Sequence, residues 1–137
     1  MKPRRLSSGE YNKRKADCEE AVRLLAEFQP GLTSLRDITL EDFNRFSHKL
    51  PERIERRARH VVEEIERTLR AILMLKSREM EAFGKFLNLG HASLRDLYEV
   101  SIRELDTMVE IAQGLPGCLG ARLTGAGFGG CTINIVE

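Results

Sequence analysis

The stretch of this chain best suited to chemistry is Gly125-Ala126-Gly127-Phe128-Gly129-Gly130, four glycines within six residues. Glycine reaches φ > 0 at little cost and lets the backbone approach a ligand with no Cβ in the way. Successive N–H groups in such a turn can converge on an anion, typically a phosphate. Three familiar phosphate loops set the test. The spacing fits G-x-G-x-x-G, but a dinucleotide fingerprint needs a helix next and an acidic residue about 20 positions on. Here a strand-like run follows and the sequence stops at Glu137. A P-loop needs Gly-Lys-Ser/Thr, and these residues are Gly130-Cys131-Thr132. The glycine-rich loop of protein kinases lies between strands but needs a lysine on the second, and the last lysine in the sequence is Lys85. By spacing alone, a tight hairpin connection stands beside the ligand loop as an equal reading.

Other chemistry-bearing side chains read as structural. His60 and His91 have no second ligand at metal spacing, so helix-surface or capping positions are expected for them and no metal site is expected. Cys18, Cys118 and Cys131 are odd in number and share no metal-like spacing, which fits reduced thiols. Asp96, Glu99 and Asp106 read as helix-start or solvated carboxylates, and none is nominated as a catalytic base. Arg57, Arg59 and Arg67 are expected on the solvated face of a long helix, while Arg122, beside the loop, faces either solvent or a phosphate.

The elements that must position the loop can be read from periodicity. Leu119, Ala121 and Leu123 alternate with Gly120, Arg122 and Thr124 before it, and Cys131, Ile133 and Ile135 alternate with Thr132 and Asn134 after it. Both runs have the period of a half-buried strand. Upstream, Lys2 to Leu6 reads as the tail of an edge strand, and Ser7 or Ser8 as the cap of a helix with Cys18, Ala21, Val22, Leu25 and Phe28 on one stripe, stopped by Pro30-Gly31. Thr39 and Asp42 suggest a second cap, before Leu40, Phe43 and Phe46. Pro51 suits the first turn of the longest helix, with Ile54, Ala58, Val61, Ile65, Leu69 and Ile72 at helical spacing. Ser77 is expected to begin a helix carrying Met80, Phe83 and Leu87, and Ser93 to Asp96 to start a short turn. Ser101-Ile-Arg-Glu104 has the form of a capping box, for a last helix with Leu105, Val109 and Ala112 inward, ended by Gly114 and Pro116-Gly117.

At 137 residues the chain has the size of one domain. Lysine and arginine total 22 against 21 aspartate and glutamate, a net charge of +1. The charges are interspersed, so no basic footprint argues for nucleic acid. No apolar run is long enough to span a bilayer, and Met1-Lys-Pro-Arg-Arg-Leu-Ser-Ser has no apolar core behind its basic residues, so neither a membrane span nor a secretory signal is expected. A soluble cytoplasmic α+β domain is the expectation. A lone hairpin is marginal in water, so the two strands call for more strands beside them.

Several blocks, in order, resemble one family. Gly120-Ala-Arg-Leu-Thr-Gly-Ala-Gly-Phe-Gly-Gly-Cys-Thr132 resembles the third signature motif of the GHMP small-molecule kinases, in the form galactokinases carry. Ser7-Ser-Gly-Glu-Tyr-Asn-Lys-Arg14 with Cys18-Glu-Glu-Ala-Val22 is similar to the stretch that opens the C-terminal half of galactokinases. Arg57 to Arg67, then Ser93 to Ser101 with Glu104-Leu-Asp106, resemble later blocks. The resemblance runs from about Leu6 to the last residue; one departure is Ile102-Arg103, where many relatives have Cys-Pro. It implies a GHMP kinase C-terminal domain over residues 1–137, ferredoxin-like, with helices on one face of a small, incomplete antiparallel sheet, the N-terminal phosphate-loop domain and final strands lying outside these residues. It further implies ATP-dependent phosphorylation of α-D-galactose to galactose 1-phosphate in the intact enzyme, with ATP and Mg as cofactors held mostly elsewhere. No catalytic residue is expected here, and the chain alone is expected to be inactive. Tyr11 matches the tyrosine that hydrogen-bonds the sugar, and Gly125 to Gly130 the loop that packs against the phosphate-cradling loop; the two are expected to wall one site. The alternatives left open are a non-catalytic galactokinase-like sugar sensor and a sister kinase for N-acetylgalactosamine or arabinose.

Overall fold

The computed structural model describes residues 8–137. The edge strand expected over Lys2 to Leu6, and the side-chain cap expected from Ser7 or Ser8, lie outside what is described. The chain forms two compact units, one of them Ser7–Glu66 and the other containing Arg67–Glu137.

The first unit is helical. It contains α1 (Ser8–Leu25), α2 (Leu40–Phe46), a single 3-10 turn and the first half of α3 (Glu52–Ser77). Its core joins Ala21 and Leu25 of α1 to Phe43 of α2 and to Ile54, Ala58 and Val62 of α3, with Leu32, Leu35 and Ile38 contributed by the α1–α2 connection. Each large side chain so buried contributes about 1.5–3 kcal/mol. Thr39 caps α2 as its spacing predicts, its hydroxyl accepting from the Asp42 amide at 3.1 Å. Pro51 stands immediately before α3, its carbonyl accepting the first helical bond from Glu55.

Three expectations for this unit are overturned. α1 ends at Leu25, so Phe28 leaves the stripe and stacks on Phe46 with ring centroids 5.5 Å apart. Pro30 has no N–H to close another turn and disfavours helical geometry at Gln29, so the end unwinds early. Arg57 and Arg59 are not a solvated face. Arg57 is 5% exposed, its Nε 3.8 Å from Asp17, whose other oxygen is met by Arg53 at 3.1 Å. Arg59 bonds Glu55, Asn44 and Ser47 and lies 5.2 Å over the Phe43 ring. His60 is buried and not on the helix surface. The buried positions 54, 57, 58, 60 and 62 cover more than half the circumference of α3, so long polar side chains must run their stems along the core and find partners at the ends.

The second unit is α+β. α4 (Met80–Asp96) and α5 (Arg103–Gln113) pack on β1 (Cys118–Thr124), which pairs antiparallel with β2 (Cys131–Val136) from Gly120↔Ile135 to Thr124↔Cys131. Both strands stand where the alternation put them. Ala121 and Leu123 are buried as predicted, but the expected inner face of β2 is not: Cys131 and Ile133 are exposed and Ile135 half-buried. The helices cover β1 first, so a period of two marks a face without saying what lies against it.

Helix boundaries differ as well. Ser77 ends α3 and begins nothing, because Arg78 takes a left-handed φ of 59° and the Glu79 and Arg78 amides close back on Met74 and Leu75. This is the helix-stop geometry usually given to glycine, and an arginine there leaves no mark in the sequence. Met80, expected inward, is exposed, and Ser93 to Asp96 form the last turn of α4 instead of a separate one. The capping box at Ser101 does not form: Ile102 is the N-cap, and the Ser101 hydroxyl turns to Asp106.

α4 reaches β1 by a glycine–glycine contact. A Cβ on Gly84 would lie 2.2 Å from the Leu119 carbonyl oxygen, and one on Gly120 2.1 Å from the Gly84 carbonyl oxygen. Glycine costs a helix interior about 1 kcal/mol relative to alanine, a cost offset here by backbone contact that no other residue allows. Gly84→Ala is therefore expected to destabilise the chain by about 1–3 kcal/mol. Gly9→Ala, where nothing lies within 4 Å, should be neutral or stabilising by at most about 1 kcal/mol. Urea unfolding of both variants measures the difference, and equal midpoints would contradict the contact.

Candidate functional site

The glycine loop leaves β1 at Thr124 and enters β2 at Cys131. Gly125, Gly127, Gly129 and Gly130 all have positive φ (87°, 81°, 127° and 109°), and so does Phe128 at 57°. The middle of the loop is docked inward. The Phe128 amide donates to the Val100 carbonyl at 2.8 Å, and a Cβ on Gly127 would lie 2.2 Å from that same oxygen. The Phe128 side chain packs against the cluster of Leu94, Val100, Leu105 and Leu123. Val100 follows Glu99, another non-glycine residue in the left-handed region, at φ 52°. Such conformations cost of order 1 kcal/mol or more each, and two of them flank this one hydrogen bond. With the Phe128 amide turned inward onto Val100, the middle of the loop is a docked turn and that N–H does not face outward; Gly125 is exposed and Ala126 half-buried at its tip.

The strand that feeds the loop is held by side chains of α4. Asn88 Oδ1 accepts from the Ala121 amide at 2.9 Å and from the Gln113 side chain at 2.8 Å. His91 Nδ1 accepts from the Leu123 amide at 3.2 Å, and its Nε2 stands 3.2 Å from Asp106 Oδ1, to which the Ser101 hydroxyl also donates. An N–H pointing at Nδ1 requires the lone pair there, so the ring proton is on Nε2 and is donated to Asp106. His91 is 3% exposed. Burial lowers its pKa below the ordinary value; Asp106 opposes that, and Arg95 and Arg122 add to it.

His91 and Asp106 thus correct two expectations: His91 is neither a helix-surface nor a capping residue, and Asp106, though at a helix start, is a half-buried acceptor instead of a solvated carboxylate. Both were missed as supports of the loop. The signal was present, since Gly84, Asn88 and His91 stand at i, i+4 and i+7 on one face of α4, a small and polar stripe where an apolar one was sought. Asp96 pairs with its neighbour Arg95, and Arg122 is half-buried with its Nε on the Leu123 carbonyl.

Tyr11 lies on α1, 55% exposed, beside Glu10, whose carboxyl is held below the usual range by its hydrogen bond to Lys13. It belongs to the first unit and the loop to the second. Among the described residues no group of three or more His, Cys, Asp or Glu side chains could hold a metal ion. The three cysteines are free thiols. Gly130→Ala would meet only Thr124 O at 3.8 Å and carry the left-handed penalty of about 1–2 kcal/mol. Gly127→Ala adds the clash with Val100, about 1–3 kcal/mol more. Denaturant midpoints should rank the two in that order, and equal losses would show that the loop is not docked on Val100.

Comparison with known proteins agrees with this geometry. The family model described as GHMP kinases C terminal matches residues 62–137. The chain is 46% identical over 134 residues to a galactokinase of Roseiflexus sp. (strain RS-1), covering 98% of the chain and 34% of that relative. It is 50% identical over 136 residues to a galactokinase of Exiguobacterium sibiricum, covering 99% of the chain and 34% of the relative. A crystal structure of Lactococcus lactis galactokinase complexed with galactose superposes with a TM-score of 0.93 at 43% identity, covering 98% of this chain and 35% of that one. The chain spans about a third of the length of the curated relatives it matches. It belongs to the GHMP kinase family, and what it carries is that family's C-terminal domain in the form found in galactokinases.

Proposed function

We propose that this chain is the C-terminal part of a galactokinase, one domain over residues 1–137, working in the cytoplasm with an N-terminal domain of the kind its longer relatives contain. The reaction is transfer of the γ-phosphoryl group of ATP to the anomeric hydroxyl of α-D-galactose. The observation that carries the reading is the end-to-end match, TM-score 0.93 over 98% of the chain, to a galactokinase solved with galactose. No helix among the described residues is long and apolar enough to cross a membrane.

Phosphoryl transfer depends on positioning and charge neutralisation. The described residues offer no metal-ligand set, and the Phe128 amide is already spent on Val100. As the likeness to galactokinases implies, the groups that hold magnesium and cradle the phosphates are assigned to the N-terminal domain. This chain contributes shape and one sugar contact. Tyr11, exposed on α1, hydrogen-bonds the sugar through its phenol, which donates and accepts on a rigid ring. The loop Gly125 to Gly130 brings backbone close to the reacting groups, and its docking on Val100 keeps it from collapsing into them.

In the full-length protein, Tyr11→Phe is expected to raise KM for galactose roughly five- to tenfold, the worth of one hydrogen bond, with KM for ATP unchanged. An unchanged galactose KM would remove Tyr11 from the site. The 137-residue chain alone is expected to show no galactose-dependent ATP turnover, and measurable turnover would overturn the division of labour. Full-length protein that binds galactose without phosphorylating it would favour a sugar sensor.

A further inference from the structure

The supports of the glycine loop close into a ring. From the Leu123 amide, two residues before the loop, a hydrogen bond runs to His91 Nδ1. From His91 Nε2 it continues to Asp106, and from Asp106 to the Ser101 hydroxyl. Ser101 is the covalent neighbour of Val100, whose carbonyl accepts the Phe128 amide within the loop. One chain of contacts therefore joins the strand entering the loop, the C-terminal part of α4, the first turn of α5 and the loop's own midpoint.

We propose that His91 is the positioning residue of the glycine loop: with Nδ1 accepting from Leu123 and Nε2 donating to Asp106, it fixes the end of β1 relative to the Val100–Ser101 segment on which the loop is docked. Its bearing on catalysis rests on the galactokinase reading; its hold on the loop does not. A ring of this kind needs a side chain that accepts at one end and donates at the other in a fixed direction, which a neutral imidazole does and an imidazolium cannot. Protonation turns Nδ1 into a donor facing a donor, and the Leu123 bond is lost. The charged groups around the ring are Asp106 from α5, Arg95 on α4 itself and Arg122 on β1. Burial is the largest influence and favours the neutral form. Between its lowered folded value and the ordinary 6.5, His91 binds fewer protons folded than unfolded. Its contribution to stability is therefore complete above 6.5 and is lost as pH falls through the folded value, where the ring protonates and the hold goes.

The test uses the full-length protein labelled with 15N on histidine and on glycine, leucine and phenylalanine amides. At pH 7.5 the His91 nitrogens should show a lone pair at Nδ1 and a proton on Nε2. On acidification the Leu123, Gly127 and Phe128 amides should shift together with one midpoint, that of the His91 ring. His91→Asn, whose side-chain oxygen can still reach the Leu123 amide but which has no donor at Asp106, should displace the loop resonances. His91→Gln, which can still meet Asp106 but leaves the Leu123 amide unmet, should displace them as well, and each variant should lower kcat about tenfold. Loop amides that stay still while the His91 ring titrates, or that keep their native positions in both variants, would overturn the proposal. The wild-type titration decides the matter even if a variant fails to fold. Loss of the galactokinase reading shows separately, as a wild-type protein that does not phosphorylate galactose.

Discussion

The second unit depends on the approach of one helix to one strand with no side chains between them. Gly84 and Gly120 let the α4 backbone touch the β1 backbone. At that spacing, residues one and two turns further along α4 come within hydrogen-bond reach of β1 amides. Asn88 takes the Ala121 amide and His91 the Leu123 amide. A strand amide buried without a partner would cost about 1–3 kcal/mol, so a methyl group's worth of separation at Gly84 would be felt at Leu123 and, through it, at the start of the glycine loop.

The loop is a consequence of this anchoring as much as of its own glycines. Four positive-φ glycines permit many turns, and what selects one is the docking of Phe128 on Val100. The same contact explains why the loop tolerates a phenylalanine in the left-handed region. Its ring packs among Leu94, Leu105 and Leu123, and that burial offsets the strain. Chemistry brought to such a loop by another domain would meet a surface already shaped.

Much of this was legible in the residues. The two strands, the hairpin between them, the Thr39 cap and the inward Leu105 and Val109 all follow from local periodicity and turn chemistry. The ordered blocks point to the family that the match over residues 62–137 shows. What escaped was what local patterns do not encode. Arg78 in the left-handed region ends α3 without a glycine to announce it. Arg57, Arg59 and His60 look like a charged face until the first unit wraps more than half of α3. Ser101 has the spacing of a cap, but its hydroxyl goes to Asp106 five residues on, a carboxylate that His91 of α4 also meets. For Arg57, Arg59 and Ser101 a tertiary partner or network outranked the local preference. Tyr11 and the loop were read as site residues from their blocks; the geometry adds that one is exposed on α1 and the other docked on Val100.

The central claim is that β1 is held on the side away from β2 by side chains of α4, and that the loop inherits its position from this hold. Amide hydrogen exchange at Ala121, Leu123 and Phe128 tests it most directly. The account predicts that these three amides, bonded to Asn88, His91 and Val100, exchange as slowly as the β1 amides that face β2. Exchange at the rate of an exposed turn for Leu123 and Phe128, with the β2-facing amides still protected, would show that the strand stands without the helix and that the loop is free.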